Sequence, residues 1–200
     1  MPVKQYTAIR CNGFPDWSLI PFADIAFSLE QTAANITAQA QLCYDDTALY
    51  VRLSAQEEHI RSELTGPMDE VCEDSCLEFF FSPVADDPRY INIECNLNAC
   101  LFLGIGPNVD ALIRLMPQEH PIRPTARLIP GGWETVYAIP YSFIRKYFPG
   151  FSPASGNTIR ANFHKCGDKT RIPHYLCWNP VPMQPCAFHN PNAFGLVCFE

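Results

Sequence analysis

The sequence has no long apolar run and few basic residues. No stretch approaches the ~20 apolar residues of a membrane-spanning helix, and the first residues, MPVKQYTAIRCNGF, lack the apolar core of a signal peptide. The 14 Lys and Arg residues are outnumbered by 21 Asp and Glu residues, which gives a formal net charge of -7. Such a chain repels phosphate backbones and anionic lipids. We therefore expect neither a nucleic-acid nor a membrane partner, and a cytoplasmic location, or a secreted one if a signal peptide was removed.

Linkers, internal repeats and low-complexity tracts are also absent, so we expect a single domain over residues 1–200. Hydrophobic residues make up 48% of the chain and charged residues 18%, which provides enough apolar surface for a sizeable core. Ten cysteines are spread along the 200 residues, below the density of a disulfide scaffold. Their apolar neighbours indicate buried free thiols in a reducing compartment.

Alternation of apolar and polar residues is the main secondary-structure signal. In residues 35–46, NITAQAQLCYDD, every second residue is apolar, and ALYVRLSA follows in the same phase, which predicts a hairpin over 36–55. YINIECNL has one apolar and one polar face. The run TARLIPGGWETVYAIP predicts a second hairpin, because its glycines permit the positive φ of tight turns.

The remaining segments complete an all-β pattern. Strands are also expected in CLEFFFS, TIRANFHKC, YLCW and FGLVCFE, and one short helix in YSFIRKYF. About ten short strands with at most one short helix predict an antiparallel β-sandwich or barrel.

The polar faces of three strands converge if their apolar faces point inward. The outward residues are Glu78, Asn92, Glu94, Asn96, Arg160, Asn162 and His164. Carboxylates and amides in such a bed bind adjacent hydroxyl groups, although a solvated sheet face remains the alternative. Phe188 lies among prolines, so we expect its ring at the surface or at a groove rim. Trp178 is either a core anchor or a ring that borders the groove.

Seven phrases in series resemble the family 9 carbohydrate-binding modules, which are related to the DOMON superfamily. They are DDTALYVRL, EDSCLEFFFSP, YINIECN, GGWETVYAIP, IRANFHKCGD, HYLCWNP and FHNPNAFGLVCFE, and together they cover roughly residues 35–200. The resemblance implies an immunoglobulin-like or jelly-roll β-sandwich with a sugar-binding groove on one concave face. It implies carbohydrate binding without catalysis, of a sugar end or short oligosaccharide, in association with carbohydrate catabolism.

The resemblance also implies site residues. One of two aromatic rings that clamp the sugar in the family falls on Phe188, while Val71 and Cys72 occupy the place of the other ring. Hydrogen-bonding ligands of the family fall on Glu78, on Glu94 in place of a basic residue, on His164 in place of an amide, and on Glu57. With Asn96 and Trp178, these residues form the predicted carbohydrate site.

The same residues leave two other functions and the question of a metal site open. The first alternative is a glycoside hydrolase, which needs two carboxyl groups about 5 to 9.5 Å apart, and Glu78 and Glu94 would suit that role. The second alternative is a structural or partner-binding sandwich domain without a sugar ligand. The pairs His174-x2-Cys177 and Cys186-x2-His189 have zinc-site spacing, but an extended chain would point the first pair to opposite faces. We therefore expect no metal or cofactor beyond a structural calcium, for which ADDP at 85–88 offers oxygen ligands.

Overall fold

The structure, a computed structural model, describes residues 2–29, 35–182 and 187–200. Within these residues the chain forms fourteen strands and one helix, α1 (Tyr141–Tyr147). The strands are β1 (Gln5–Arg10), β2 (Ala23–Ile25), β3 (Phe27–Ser28), β4 (Thr37–Tyr44), β5 (Ala48–Gln56), β6 (Cys76–Ser82), β7 (Tyr90–Cys95), β8 (Leu101–Gly106), β9 (Ile113–Arg114), β10 (Thr125–Ile129), β11 (Gly132–Pro140), β12 (Thr158–Cys166), β13 (Tyr175–Cys177) and β14 (Gly195–Phe199). No helix of the described chain has the length and apolar character needed to cross a bilayer.

The strands follow one curled path, in the order β10-β11-β5-β4-β1-β14-β12-β6-β7-β8-β9. Its small half contains β10, β11, β5 and β4 with β2 on β4, and its large half contains β14, β12, β6, β7, β8 and β9 with β13 and β3. The main hydrophobic core draws side chains from both halves, so the two halves pack face to face as a sandwich. The predicted all-β sandwich with one short helix is confirmed.

Strand β1 joins the two halves and makes the sheet mixed. Its residues Gln5–Ala8 run parallel to β14, and Ile9 and Arg10 run parallel to β4. The antiparallel sandwich of about ten strands expected from the sequence therefore has two parallel pairings, and the described chain has fourteen strands. Strands of two or three residues, such as β2, β3 and β9, are too short to show alternation in a sequence.

The hairpins lie where the sequence predicts them. β4 pairs with β5 in antiparallel register, and Asp45 closes the turn by accepting hydrogen bonds from the backbone of Thr47 at 2.6 Å and of Ala48 at 2.9 Å. In the hairpin of β10 and β11, Gly131 has φ of 78°, a conformation that favours glycine.

Aromatic rings fill the core between the two halves. Phe79 stacks on Phe81 with ring centroids 4.8 Å apart and on Phe163 at 5.0 Å. Tyr6 meets the Phe163 ring edge-on at 6.2 Å. Phe163 thus connects β12 to both β6 and β1, and it is fully buried.

Removal of the Phe163 ring tests the importance of this core. We expect Phe163→Ala to lower the free energy of unfolding by about 3 to 5 kcal/mol, because it leaves a cavity among fully buried rings. Leu128 is 67% exposed, so Leu128→Ala should change the same quantity by less than about 0.5 kcal/mol. Urea unfolding of both variants measures the difference, and equal losses would contradict the assignment of Phe163 to the core.

Candidate functional site

The outer face of β6, β7 and β12, turned away from the main core, carries polar side chains. Because side chains alternate along a strand, Phe79 and Phe163 point into the main core while their neighbours Glu78 and His164 point outward. The register places His164 directly opposite Glu78, and Glu78 directly opposite Glu94. Three titratable side chains therefore form one row across the sheet. With Asn92, which donates to Glu94 Oε1 at 3.0 Å, they make up what we call the floor.

The floor is buried rather than open to solvent. Glu78 is 2% exposed and His164 is fully buried, because a second hydrophobic cluster lies over this face. Chain segments outside the sheet supply what we call the cover: Val71, Val181, Ala187, Phe188 and Phe194. The alternative of a solvated sheet face is therefore wrong.

Phe188 is the part of the cover that contacts the floor most closely. Its ring stacks on the His164 imidazole with centroids 4.0 Å apart and planes inclined by 12°. The ring is only 9% exposed, so the expectation of a ring at the surface is wrong. A Pro-rich segment can be buried when it packs on a sheet face instead of pairing with a strand.

Burial changes the acidity of every titratable group on the floor. Burial raises the pKa of Glu78 from 4.5 to about 7, against the opposing effect of a hydrogen bond from Cys166. Burial and the neighbouring charge of Glu78 raise the pKa of Glu94 well above its usual value. Burial lowers the pKa of His164 to about 3, so the imidazole is neutral near pH 7 and its 3.4 Å contact with Glu78 is no ion pair.

Several buried polar atoms of the floor have no hydrogen-bond partner among the described residues. They are Glu78 Oε2, Asn92 Oδ1 and both ring nitrogens of His164. An unpaired buried donor or acceptor costs about 1 to 3 kcal/mol, so native proteins rarely leave several together. The floor therefore has unused capacity to bind a polar molecule.

A second imidazole lies beside the floor. His189 Nδ1 is 2.7 Å from the hydroxyl oxygen of Tyr90, and the ring also contacts Phe80. Burial and the nearby His164 lower the pKa of His189 to about 4. The four residues with zinc-site spacing do not come together at the floor. His174 contacts Lys165 on the other side of β12. Cys186 lies outside the described residues.

Glu57 lies apart from the floor. Its carboxylate is 2.7 Å from Lys165 Nζ, and Lys165 points to the opposite face of β12 from His164. Lys165 also lies 2.7 Å from His174 Nε2 and donates to the carbonyl of Cys166 at 2.9 Å. Glu57 is thus the counter-charge of a fully buried lysine.

Trp178 also lies apart from the floor. It packs in the main core, with its ring centroid 5.6 Å from that of Phe163, as the core interpretation of this residue predicts. It belongs to the main core and not to the cluster that covers the floor, so it does not border the outer face of the sheet.

Two asparagines of the predicted polar face hold loops in place. Asn96 Nδ2 donates to the carbonyl of Leu64 and to the Asp74 carboxylate, both at 2.8 Å. Asn162 makes two hydrogen bonds with the backbone of Asn179. Because these amides are already paired, they add little free capacity to the floor.

The loop expected to bind calcium has a competing ion pair. The Arg89 guanidinium binds both oxygens of the Asp87 carboxylate and holds the pKa of that carboxyl below its usual range. Calcium would have to displace this pair, so the residues of the loop fit the ion poorly.

Two thiols of the outer face were missing from the sequence-based site. Cys76 lies two residues before Glu78, and Cys166 two residues after His164, so the same alternation places all four on one face. Cys166 donates to Glu78 Oε1 at 2.8 Å. The alternation along the two strands contains this signal, which the expectation of buried free thiols does not use.

Sequence comparison decides the family. The profile described as carbohydrate-binding family 9 matches residues 26–199, which is most of the chain. The chain belongs to carbohydrate-binding family 9. The resemblance inferred from the seven phrases is thereby confirmed. No curated protein matches the chain.

Solved structures of three proteins share the fold. A candidate carbohydrate-binding protein from Bacteroides uniformis ATCC 8492 has a TM-score of 0.86 and 25% identity to this chain, with 100% of both chains covered. A family 9 module from Caldicellulosiruptor kristjanssonii in complex with cellotriose has a TM-score of 0.71 and 14% identity, over 98% of this chain and 94% of that one. A family 9 module from the same organism in complex with glucose has a TM-score of 0.70 and 14% identity, over 98% and 96% of the two chains.

The buried pair of Glu57 and Lys165 yields a prediction that separates structural from ligand-binding roles. We expect Glu57→Gln to lower the free energy of unfolding by about 3 to 5 kcal/mol, because it leaves the Lys165 charge buried without a partner. The double variant Glu57→Leu/Lys165→Met should recover most of that loss, since no charge then remains. Urea unfolding of the variants is the measurement. Unchanged stability in Glu57→Gln would return Glu57 to the list of candidate sugar ligands.

Proposed function

We propose that this chain binds carbohydrate without catalysis, through the floor and Phe188 on the outer face of the large half. The ligand class is a sugar end or a short oligosaccharide. The observation that carries the proposal is the group of unpartnered buried polar atoms beneath an aromatic ring. In a family 9 chain, a ligand rich in hydroxyl groups is the natural partner for such atoms.

The floor offers both acceptors and donors. Asn92 Oδ1 and Glu78 Oε2 accept hydrogen bonds from sugar hydroxyls, and the neutral His164 ring donates from one nitrogen and accepts at the other. The raised pKa values leave the pair of Glu78 and Glu94 partly protonated near neutral pH, so these carboxyls also donate. A sugar ring presents hydroxyl groups with the same mixture of donors and acceptors.

Binding requires the Phe188 ring to leave His164. Rings 4.0 Å apart have no space for a sugar between them, so the ligand enters as Phe188 moves aside. The displaced ring then stacks on an apolar face of the sugar, which buries apolar surface on both partners. Tyr175 lies 6.3 Å from Phe188 at the edge of this space and is half-buried, so it is in position to contact the ligand as well.

The arrangement of the carboxyl groups favours binding over hydrolysis. A glycosidase places its two carboxyl groups on either side of the scissile bond, one as an acid and one as a base or nucleophile. Glu78 and Glu94 instead sit side by side on one sheet face, where burial raises the pKa of both. Burial thus shifts both pKa values in the same direction, whereas a glycosidase places its two carboxyl groups in environments that push their pKa values apart.

The place of action follows from the thiols. The nine cysteines that the structure describes are free. Six of them lie in strands β4, β6, β7, β12, β13 and β14, and Cys100 lies in a loop. All seven are buried or half-buried. Free thiols persist in reducing compartments. These thiols support the proposal that the protein acts inside the cell, where it would capture oligosaccharides in the course of carbohydrate catabolism.

Calorimetric titration with glucose and cellotriose tests the proposal, since family 9 modules of this fold bind these two sugars. We expect saturable binding by the wild type and at least about tenfold weaker binding by Phe188→Leu and by Glu94→Ala, which corresponds to a loss of about 1.4 kcal/mol. The reasons are the loss of a flat stacking surface and the loss of a hydroxyl ligand.

Two exposed residues provide matched controls. Phe14 and Glu58 lie outside the floor and its cover, so Phe14→Leu and Glu58→Ala should bind as the wild type does. Equal affinity in the floor variants and the wild type would refute the site. Release of glucose from cellotriose by the wild type would instead favour the hydrolase alternative.

A further inference from the structure

Four side chains of the types that ligate metals lie together on two neighbouring strands, and we call them the block. β6 contributes Cys76 and Glu78, and β12 contributes His164 and Cys166. The register sets Cys166 opposite Cys76 and His164 opposite Glu78. Because residues two apart on a strand point to the same side, all four side chains reach one small region of the outer face.

The distances within this block suit a metal ion. The ligand atoms of Cys76, Glu78 and Cys166 all lie within 4.8 Å of one another. Cys166 Sγ is 2.8 Å from Glu78 Oε1, and His164 Nδ1 is 3.4 Å from Glu78 Oε2. A tetrahedral zinc ion with bonds of about 2.0 to 2.3 Å needs donor atoms roughly 3.3 to 3.8 Å apart.

Among the described residues, the block has no cation from the protein and several unpaired polar atoms. No lysine or arginine among the described residues forms an ion pair with Glu78 or Glu94, since Lys165 binds Glu57 and Arg114 binds Glu70. Glu78 Oε2 and both nitrogens of His164 are buried without a hydrogen-bond partner in the part of the chain that the structure describes. Buried carboxyl groups without a cation are rare, and coordination to a metal is one of the ways in which proteins satisfy them.

We propose that Cys76, Glu78 and Cys166 bind a zinc ion, with His164 Nδ1 as the fourth ligand. Two thiolates, one imidazole and one carboxylate form a donor set of the kind found in tetrahedral zinc sites, whereas calcium and magnesium require oxygen ligands throughout. Both thiols lose their protons to solvent when the ion binds, so two thiolates and one carboxylate surround a dication.

The ion would fasten β6 to β12 and leave part of the floor free. Glu78 has a second oxygen, and His164 a second nitrogen, that the metal does not use. Asn92 and Glu94 lie on β7, beyond the block. The zinc site therefore does not depend on the carbohydrate proposal, and each can fail without the other.

Metal analysis of the purified full-length chain, kept reduced throughout, tests the proposal. We expect about one zinc per chain after growth with added zinc. After chelation, titration with cobalt should give the near-ultraviolet thiolate-to-cobalt band and the visible bands of a tetrahedral site. Cys166→Ser should weaken zinc binding by at least about 100-fold, because it removes a direct ligand.

Cys100→Ser is the matched control. Cys100 is a buried thiol of the same hydrophobic cluster, but it lies outside the block and donates to the backbone of Gly66, a hydrogen bond that serine retains. This variant should bind zinc within about threefold of the wild type, a change far below that of losing a ligand.

Two results would overturn the zinc site. One is a wild type with no stoichiometric zinc and no thiolate-to-cobalt band. The other is a Cys166→Ser variant that holds zinc as tightly as Cys100→Ser does. If Cys166→Ser does not fold, the cobalt spectrum of the wild type decides alone, and a zinc-dependent rise in its Tm supports the site. Glucose titration of the chelated protein reports separately on carbohydrate binding.

Discussion

Burial of both faces of β6 and β12 is the constraint on which the rest of the structure depends. Alternating residues of β12 enter two different environments, with Phe163 in the main core and His164 beneath the cover. An antiparallel sheet often leaves one face in water, where Glu and His would keep their ordinary pKa values. Here the cover removes that water, and the pKa values of Glu78 and His164 move in opposite directions.

The same constraint links stability to function. Polar atoms that are buried without partners reduce stability, whereas the aromatic rings on the other face of the same strands increase it. A core as dense as that around Phe163 can tolerate the cost of an incompletely paired floor. Binding sites commonly carry such local costs, because the ligand supplies the missing hydrogen bonds.

Much of the fold could be predicted from the sequence because long strands carry their own signal. β4, β5, β7, β11 and β12 span six or more residues, and their alternation is visible without tertiary contacts, whereas β1 and β8 lie outside the predicted strands although each has six residues. The same alternation places Glu78, Glu94 and His164 on one face, as the structure shows. Strand order, the parallel pairings of β1 and the shortest strands depend on contacts between distant segments, which a local pattern does not record.

The parts of the site that the sequence does not reveal are those that depend on the third dimension. Glu57 has a suitable side chain for a sugar ligand, but Lys165 occupies it from a strand more than a hundred residues away in sequence. Trp178 alternates with Cys177 and so enters the main core, but the local pattern does not say which of the two sheet faces is the main core. Phe188 lies over the floor because its segment folds back across the sheet, and no periodicity predicts that path.

The proposed function depends on sugar binding at the floor beneath Phe188. The most direct measurement is the change in NMR chemical shifts of ring protons when glucose or cellotriose is added. We expect shifts in His164 and Phe188, whose stacked rings must separate, and no shift in the indole of Trp178, which lies in the main core. Saturable shifts elsewhere, with the signals of His164 and Phe188 unchanged, would contradict it.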